Sequence, residues 1–181
     1  MFAEQPLVGA SDFAMHFAAE KAGTIATLAA WTKADEPWVE FEAFRNATID
    51  RHVADIARGF DLLIGCSDLP AAGLTLSLAR ELGRPAIVAS VQGRSGWCAF
   101  VPGAEICEDC FEAPALDGGG LYYPLLEVAA TWIATAAIEH VMGSGLNKAF
   151  LESFDATRSP WMRDTRELRP RSTCEKCSKQ V

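Results

Sequence analysis

Two Cys-x-x-Cys pairs, Cys107/Cys110 and Cys174/Cys177, constrain the fold of this chain more than any other feature. Two thiolates spaced by two residues fit one edge of a tetrahedral zinc ion, and two such pairs complete a four-cysteine site. Because 63 residues lie between the pairs, a shared zinc would tie a distant C-terminal tail to the rest of the domain. Four thiolates leave no coordination position open for water or substrate, so the sequence predicts a structural zinc site.

Charge, hydropathy and the remaining cysteines narrow the class of protein. The formal net charge of −8 argues against a nucleic-acid partner, since phosphate contacts need a basic face. The longest apolar stretch, residues 125–142, contains Glu127 and Glu139, which favours a buried helix over a membrane span. The N-terminus does not resemble a signal peptide, and the unpaired Cys66 and Cys98 suit a reducing compartment. We therefore expect a cytoplasmic protein.

The middle of the chain alternates strand-like and helix-like segments. Residues 61–66 and 85–90 are short, continuously apolar runs, as expected for strands buried on both faces of a parallel sheet. A helix from about 71 to 82 lies between them and ends at Gly83. This order predicts an α/β sheet, and a chain of 181 residues is expected to form a single domain.

Patterns elsewhere predict further helices and strands. The helices are expected at 11–32, 48–59 and 124–142, and the strands at 38–44, 95–101, 149–155 and 161–168. Cys66 and Cys98 lie within apolar runs and are interpreted as small buried side chains. The run 61–66 would form a poor sheet edge and the helix 124–142 is apolar on nearly every face, so both predict an interface.

The order of these segments resembles a known family. A strand ends in Gly-Cys-Ser-Asp (residues 65–68), a helix follows, and Arg-Pro-Ala-Ile-Val-Ala-Ser (84–90) leads into the next strand. A glycine-bearing strand, the first cysteine pair, a long alanine-rich helix, a Phe-Asp element (154–155) and the second pair then come in that order. Together they resemble the ThiF/MoeB/HesA family, bacterial relatives of the ubiquitin-activating enzymes. The resemblance covers about residues 11 to 178 and matches only the later part of the family's domain.

The resemblance implies a fold, a reaction and cofactors. The fold is a partial Rossmann-like, doubly wound sheet of parallel and antiparallel strands. The reaction is ATP- and Mg²⁺-dependent adenylation of the C-terminus of a ubiquitin-like sulfur carrier, by a homodimer or a hetero-complex. Asp68 takes the position of the family's Mg²⁺-binding aspartate, at the C-terminal end of a central strand; the alternative is an N-cap for the next helix. The family's acceptor cysteine has no counterpart in residues 111–123.

The sequence departs from the family at the nucleotide site. Residues 1–10 contain no G-x-G-x-x-G, and Gly118–Gly120 do not lie between a strand and the helix it opens. We therefore expect the chain to lack the family's N-terminal strand–loop–helix. ATP and Mg²⁺ are expected only in a site completed by a partner chain, and whether the chain is itself an enzyme is left open.

Two functional hypotheses follow. The first is an activator component that works with a chain supplying the nucleotide loop. The second is a non-catalytic, zinc-stabilised scaffold that docks a carrier protein or an active family member. Five arginines between 158 and 171 are interpreted as an outward strand face, with an acidic carrier surface as the alternative partner. Loss of the zinc is predicted to release the tail from about residue 149.

Overall fold

The computed structural model describes residues 51–66, 69–103, 105–116, 122–143, 146–157 and 162–178, nearly all in one compact unit, Ala54–Val181. We number the elements of these ranges in chain order. The helices are α1 (Arg51–Ala57), α2 (Leu69–Leu82), α3 (Tyr123–Val141) and α4 (Glu175–Ser178), and the strands are β1 (Leu63–Cys66), β2 (Ala86–Gln92), β3 (Ser95–Val101), β4 (Phe150–Asp155) and β5 (Met162–Glu167). The predicted helix 11–32, the predicted strand 38–44, Asp68 and Gly118–Gly120 lie outside the described residues.

The five strands form one mixed sheet in the order β1-β2-β3-β4-β5. Strands β1 and β2 are parallel and are joined through α2, whereas the three following pairs are antiparallel. A two-residue turn connects β2 to β3, and Gly93 at its first position has a φ of 58°, a conformation that favours glycine. The predicted α/β sheet with parallel and antiparallel strands is confirmed.

Helix α2 covers one face of the sheet, which we call the α2 face. Its buried residues Ala72, Leu76 and Ala79 pack in one cluster with side chains of β2, β3 and β4. The helix approaches Gly65 of β1 closely, because a Cβ atom there would lie 2.4 Å from the Thr75 Oγ1. Only glycine therefore lets α2 lie this near β1.

Helix α3 covers the opposite face, the α3 face. Its residues Leu125 and Ala129 pack with Cys98 and Phe154, and Ala136 packs against Phe100 on the same side of the sheet. The helix ends before Gly143, whose φ is 68°, as its position after the apolar run predicts. No helix among the described residues combines the length and apolar character needed to cross a bilayer.

Strand β1 departs from the prediction. Leu63 and Gly65 face α2, so Ile64 and Cys66 point to the α3 face, because side chains alternate along a strand. Ile64 is 49% exposed and Cys66 is exposed. The predictions that residues 61–66 are buried on both faces and that Cys66 is buried are wrong, because α3 packs mainly over β2 and β3. Cys98 is fully buried, as predicted.

Candidate metal centre

The first cysteine pair follows β3 and lies against the α2 face. The backbone N–H groups of Cys110 and Phe111 both donate to the Cys107 carbonyl, at 3.0 Å each, which closes a tight turn. Both cysteines are buried. The Phe111 ring meets the Trp97 ring of β3 edge to face, with centroids 5.3 Å apart. This contact fixes the first pair to the centre of the sheet.

The second cysteine pair approaches the first from β5, which lies at the end of the strand order. Leu168, just after β5, is buried, and its N–H donates to the Ala149 carbonyl at 2.9 Å. The chain then turns, with the Cys174 N–H donating to the Arg171 carbonyl at 3.0 Å, and the short helix α4 carries Cys177. The tail that carries the second cysteine pair therefore begins after Leu168. Because β4 and β5 are paired strands of the sheet, we now expect loss of zinc to release the chain from residue 169 and not from about residue 149.

The structure brings all four predicted cysteines together. Their Sγ atoms lie within 4.8 Å of one another, with Cys107 and Cys174 at 3.5 Å and Cys110 and Cys177 at 3.7 Å. Zinc–sulfur bonds of about 2.3 Å place tetrahedral thiolate ligands about 3.8 Å apart. The number, type and spacing of the donors therefore fit a tetrahedral metal ion, and the cluster could hold one.

The environment shifts the pKa of three of these thiols in different directions. Burial raises the pKa of the Cys110 thiol to about 12, and burial also raises the pKa of Cys177. At Cys174 the hydrogen bond from the Cys177 backbone, followed by one from Cys110, lowers the pKa to about 6. Thiolates are the metal-binding form, so a metal entering this site must displace protons from the buried thiols.

Charged side chains join the two cysteine-bearing segments. The Lys176 Nζ lies 2.6 Å from the Glu108 Oε1 and 2.6 Å from the Asp109 Oδ2. These hydrogen bonds, first with Asp109 and then with Glu108, raise the pKa of the Lys176 ammonium. The bond from Lys176 also holds the pKa of Glu108 below its usual range. The two residues between the cysteines of the first pair thus bind Lys176, one of the two residues between the cysteines of the second.

Further contacts surround this arrangement. The Arg171 guanidinium donates to the Glu112 Oε1 at 2.8 Å, and the Arg171 backbone N–H donates to the Cys110 Sγ at 3.3 Å. Arg80 of α2 donates to the Lys176 carbonyl, and Arg166 of β5 donates to the Glu112 carbonyl. The candidate metal centre is therefore connected to both α2 and β5.

A groove of about 380 Å³ lies on the same face, beyond the first cysteine pair. It is bounded by residues 114–116 and by the ends of β3, β4 and β5. Leu116 and Met162 contribute apolar surface, and Asp155 and Asp164 contribute carboxylates.

Sequence reasoning missed Glu152, a buried acid on the α3 face. This side chain of β4 is only 3% exposed and forms an ion pair with Arg163 of β5. The Trp132 Nε1 of α3 also donates to its Oε2 at 3.2 Å. The available signal was an acid and a base in diagonal positions of two predicted neighbouring strands, since Glu152 lies opposite Thr165 and Arg163 opposite Phe154.

Four of the five arginines noted in the sequence lie in the described ranges, and Arg158 lies outside them. Every residue of β5 is exposed, in agreement with an outward strand. Each guanidinium nevertheless has an acceptor in this chain: Arg163 binds Glu152, Arg166 and Arg171 bind Glu112, and Arg169 binds Glu167. Asp68, the predicted Mg²⁺ ligand, cannot be compared because it lies outside the described residues.

Comparison with known proteins identifies the fold. No protein-family model and no curated protein sequence matches the chain. Escherichia coli MccB matches with a TM-score of 0.66 and 14% identity, over 87% of this chain and 50% of MccB. MccB with succinimide matches at 0.62 and 13%, over 86% and 50%, and PaaA at 0.59 and 13%, over 82% and 48%. The chain spans about half the length of these structures. It has the ThiF/MoeB-like fold that the order of its motifs predicted.

Proposed function

We propose that this chain is a component of an ATP-dependent activator that adenylates the C-terminus of a ubiquitin-like sulfur carrier or related small protein. The observation that carries the proposal is the fold likeness to MccB, a ThiF/MoeB-family adenylyltransferase, at a TM-score of 0.66. Structures of MccB together with MccA, at TM-scores of 0.57 and 0.54, match the chain as well. In the proposed step, an oxygen of the carrier's C-terminal carboxylate bonds to the α-phosphorus of ATP and pyrophosphate leaves.

The nucleotide site would need residues beyond the described ones. Among the described strands, β1 leads directly into a helix, and its connection, Ser67-Asp68, contains no glycine. Phosphate loops of this fold class use glycines so that backbone N–H groups can approach the phosphates at a helix N-terminus. We therefore assign the loop to a different partner chain in a hetero-complex, or to another part of the protein.

Asp68 is the residue of this chain that we assign to Mg²⁺. It follows β1 by two residues, and the carboxyl ends of the parallel strands β1 and β2 mark the edge where ligands bind in α/β sheets. A carboxylate there suits Mg²⁺, which prefers oxygen ligands and bridges to phosphate. When bound, the ion would neutralise charge on the phosphates as pyrophosphate leaves.

We further propose that the four cysteines hold zinc in a structural role. Four thiolates at the observed spacing satisfy a tetrahedral zinc ion and leave no position for a reacting group. None of the six cysteines forms a disulfide bond, which supports a reducing, cytoplasmic location. The groove beside Leu116 and Met162 is our candidate for receiving the extended tail of the carrier.

The test is ATP–pyrophosphate exchange with Gly-Gly-tailed carriers, using this chain alone and with candidate partner chains. We expect exchange only when a partner supplies the nucleotide loop, and we expect Asp68→Asn to abolish it. Asp61→Asn is the matched control, because this acid precedes β1 and is 92% exposed. Exchange that survives Asp68→Asn would overturn the role given to that residue.

The alternative is a zinc-stabilised scaffold that docks a carrier protein or an active family member. The connection after β1 contains no glycine, and this favours the scaffold because the described residues then provide no glycine-rich loop after β1 to bind phosphate. No exchange with any partner, no nucleotide binding, and retained binding of the carrier would support the scaffold and reject the activator.

A further inference from the structure

The ion pairs around the cysteines directly join the two Cys-x-x-Cys turns to each other. Lys176 is the one cation that lies between the cysteines of either pair. It reaches across to Glu108 and Asp109, the two residues between the cysteines of the first pair, at 2.6 Å each. No residue between the cysteines contributes to a strand, so these contacts act on the two cysteine turns themselves.

The backbone at Lys176 is held as well as its side chain. Arg80 of α2 donates to the Lys176 carbonyl, so the turn of the second pair is bound both to the first pair and to the helix beneath it. Each contact joins residues far apart in sequence, with separations of 68 for Lys176 to Glu108 and 96 for Arg80 to Lys176. Ordering such distant segments before a metal binds lowers the entropy lost when it does.

We propose that Lys176 is a positioning residue of the four-cysteine centre, holding the second cysteine pair in register with the first through Glu108 and Asp109. Lys176 touches no metal-binding atom in this role; it acts by keeping the four sulfurs at the spacing a metal needs. The inference rests on the proposed zinc and not on the adenylating role. Residues that orient metal ligands typically change metal affinity 10- to 100-fold when they are replaced.

The test measures how fast zinc leaves the folded protein when a chromogenic chelator is added in excess. Lys176→Met keeps the length of the side chain and removes its charge, and we expect release about tenfold faster, the low end of the range because the pairs are partly exposed. Lys176→Arg should restore slow release. Arg169→Met is the control, since Arg169 pairs with Glu167 and contacts no residue of the first pair.

Two further measurements separate positioning from a direct effect of the lysine charge on the thiolates. If Lys176 works through its partners, the double variant Glu108→Gln/Asp109→Asn should release zinc as fast as Lys176→Met, and combining all three changes should add nothing. If the charge acts directly on the sulfurs, removing the two acids should leave release slow. The difference between wild type and Lys176→Met should also shrink near 1 M salt, where the Debye length is about 3 Å.

The outcomes distinguish the two proposals. Equal release rates for wild type and Lys176→Met at low salt would overturn the positioning role and leave the zinc site intact. A wild-type protein that takes up no zinc would overturn both. Far-ultraviolet circular dichroism of each variant excludes loss of folding as the cause, and the exposed position of Lys176 makes such loss unexpected.

Discussion

The two faces of the sheet are closed in different ways. On the α2 face, an apolar cluster continues into the four-cysteine centre, and ion pairs join segments that are far apart in sequence. On the α3 face, one apolar helix packs on the strands, and Ile138, Val141 and Met142 at its end remain 59%, 76% and 76% exposed. The α2 face therefore combines apolar packing with a four-cysteine cluster that could hold a metal, whereas the α3 face is covered by the apolar packing of one helix.

The largest expected effect is the loss of stability when a cysteine of the candidate metal centre is replaced, because only the α2 face carries that centre. Cys177→Ser removes a ligand on the α2 face and should lower the free energy of unfolding by several kcal/mol. Structural zinc contributes on the order of 10 kcal/mol at neutral pH, and a whole domain is stable by about 5–15 kcal/mol. Urea unfolding with and without EDTA measures the effect, and the variant should lose its sensitivity to EDTA.

Cys98→Ser is the control for this experiment. Cys98 is also buried but lies on the α3 face, outside the cluster of four. The control should keep the EDTA sensitivity of the wild type. If Cys177→Ser and wild type respond to EDTA alike, the metal does not close the α2 face.

A second comparison uses one buried leucine on each face. Leu76→Ala and Leu125→Ala should each lower the free energy of unfolding by about 2–5 kcal/mol, because both side chains are fully buried. Only Leu76 belongs to the cluster that contains Cys107 and Cys110, so only its loss should speed zinc release. Equal release rates for the two variants would show that the metal centre is independent of the α2 core.

A smaller effect tests the close approach of α2 to β1. Gly65→Ala would place a Cβ atom 2.4 Å from the Thr75 Oγ1 and should lower stability by about 1–3 kcal/mol. Gly103→Ala, where no atom lies within 4 Å of the added carbon, should change it little. Thermal unfolding of both variants makes the comparison, and equal midpoints would contradict the observed packing.

The smallest effect is the pH dependence of metal binding. Burial raises the pKa of Cys110 to about 12, so this thiol is protonated near pH 7 without a metal and must release its proton to bind one. Zinc affinity should therefore rise between pH 6 and pH 8. Competition with a chelator at each pH measures it, and an affinity that falls as the pH rises would contradict thiolate ligation.

The sequence predicted the elements well where local chemistry sets them. The strand patterns and the helix ends at Gly83 and Gly143 located α2, α3 and all five described strands to within two residues. The four cysteines were predicted as one cluster from their spacing alone, because few other arrangements use two such pairs.

Features that depend on where elements cross were not predictable. The exposure of Ile64 and Cys66 follows from α3 passing over β2 and β3, and no local pattern encodes that path. Glu152 lies in a segment that also fits a solvated strand, and its burial depends on Arg163 and Trp132 from two other elements. The tail that carries the second cysteine pair is now expected to begin at residue 169 and not at 149, because β4 and β5 are paired strands of the sheet.

Hydrogen exchange with and without EDTA, on protein whose zinc content is measured, tests the central claim most directly. The account predicts one zinc per chain and, after chelation, fast exchange confined to residues 169–178 and the turn of the first pair, while β2, β3 and β4 stay protected. A folded protein that contains no zinc and four free thiols, or a tail whose protection does not change on chelation, would contradict it.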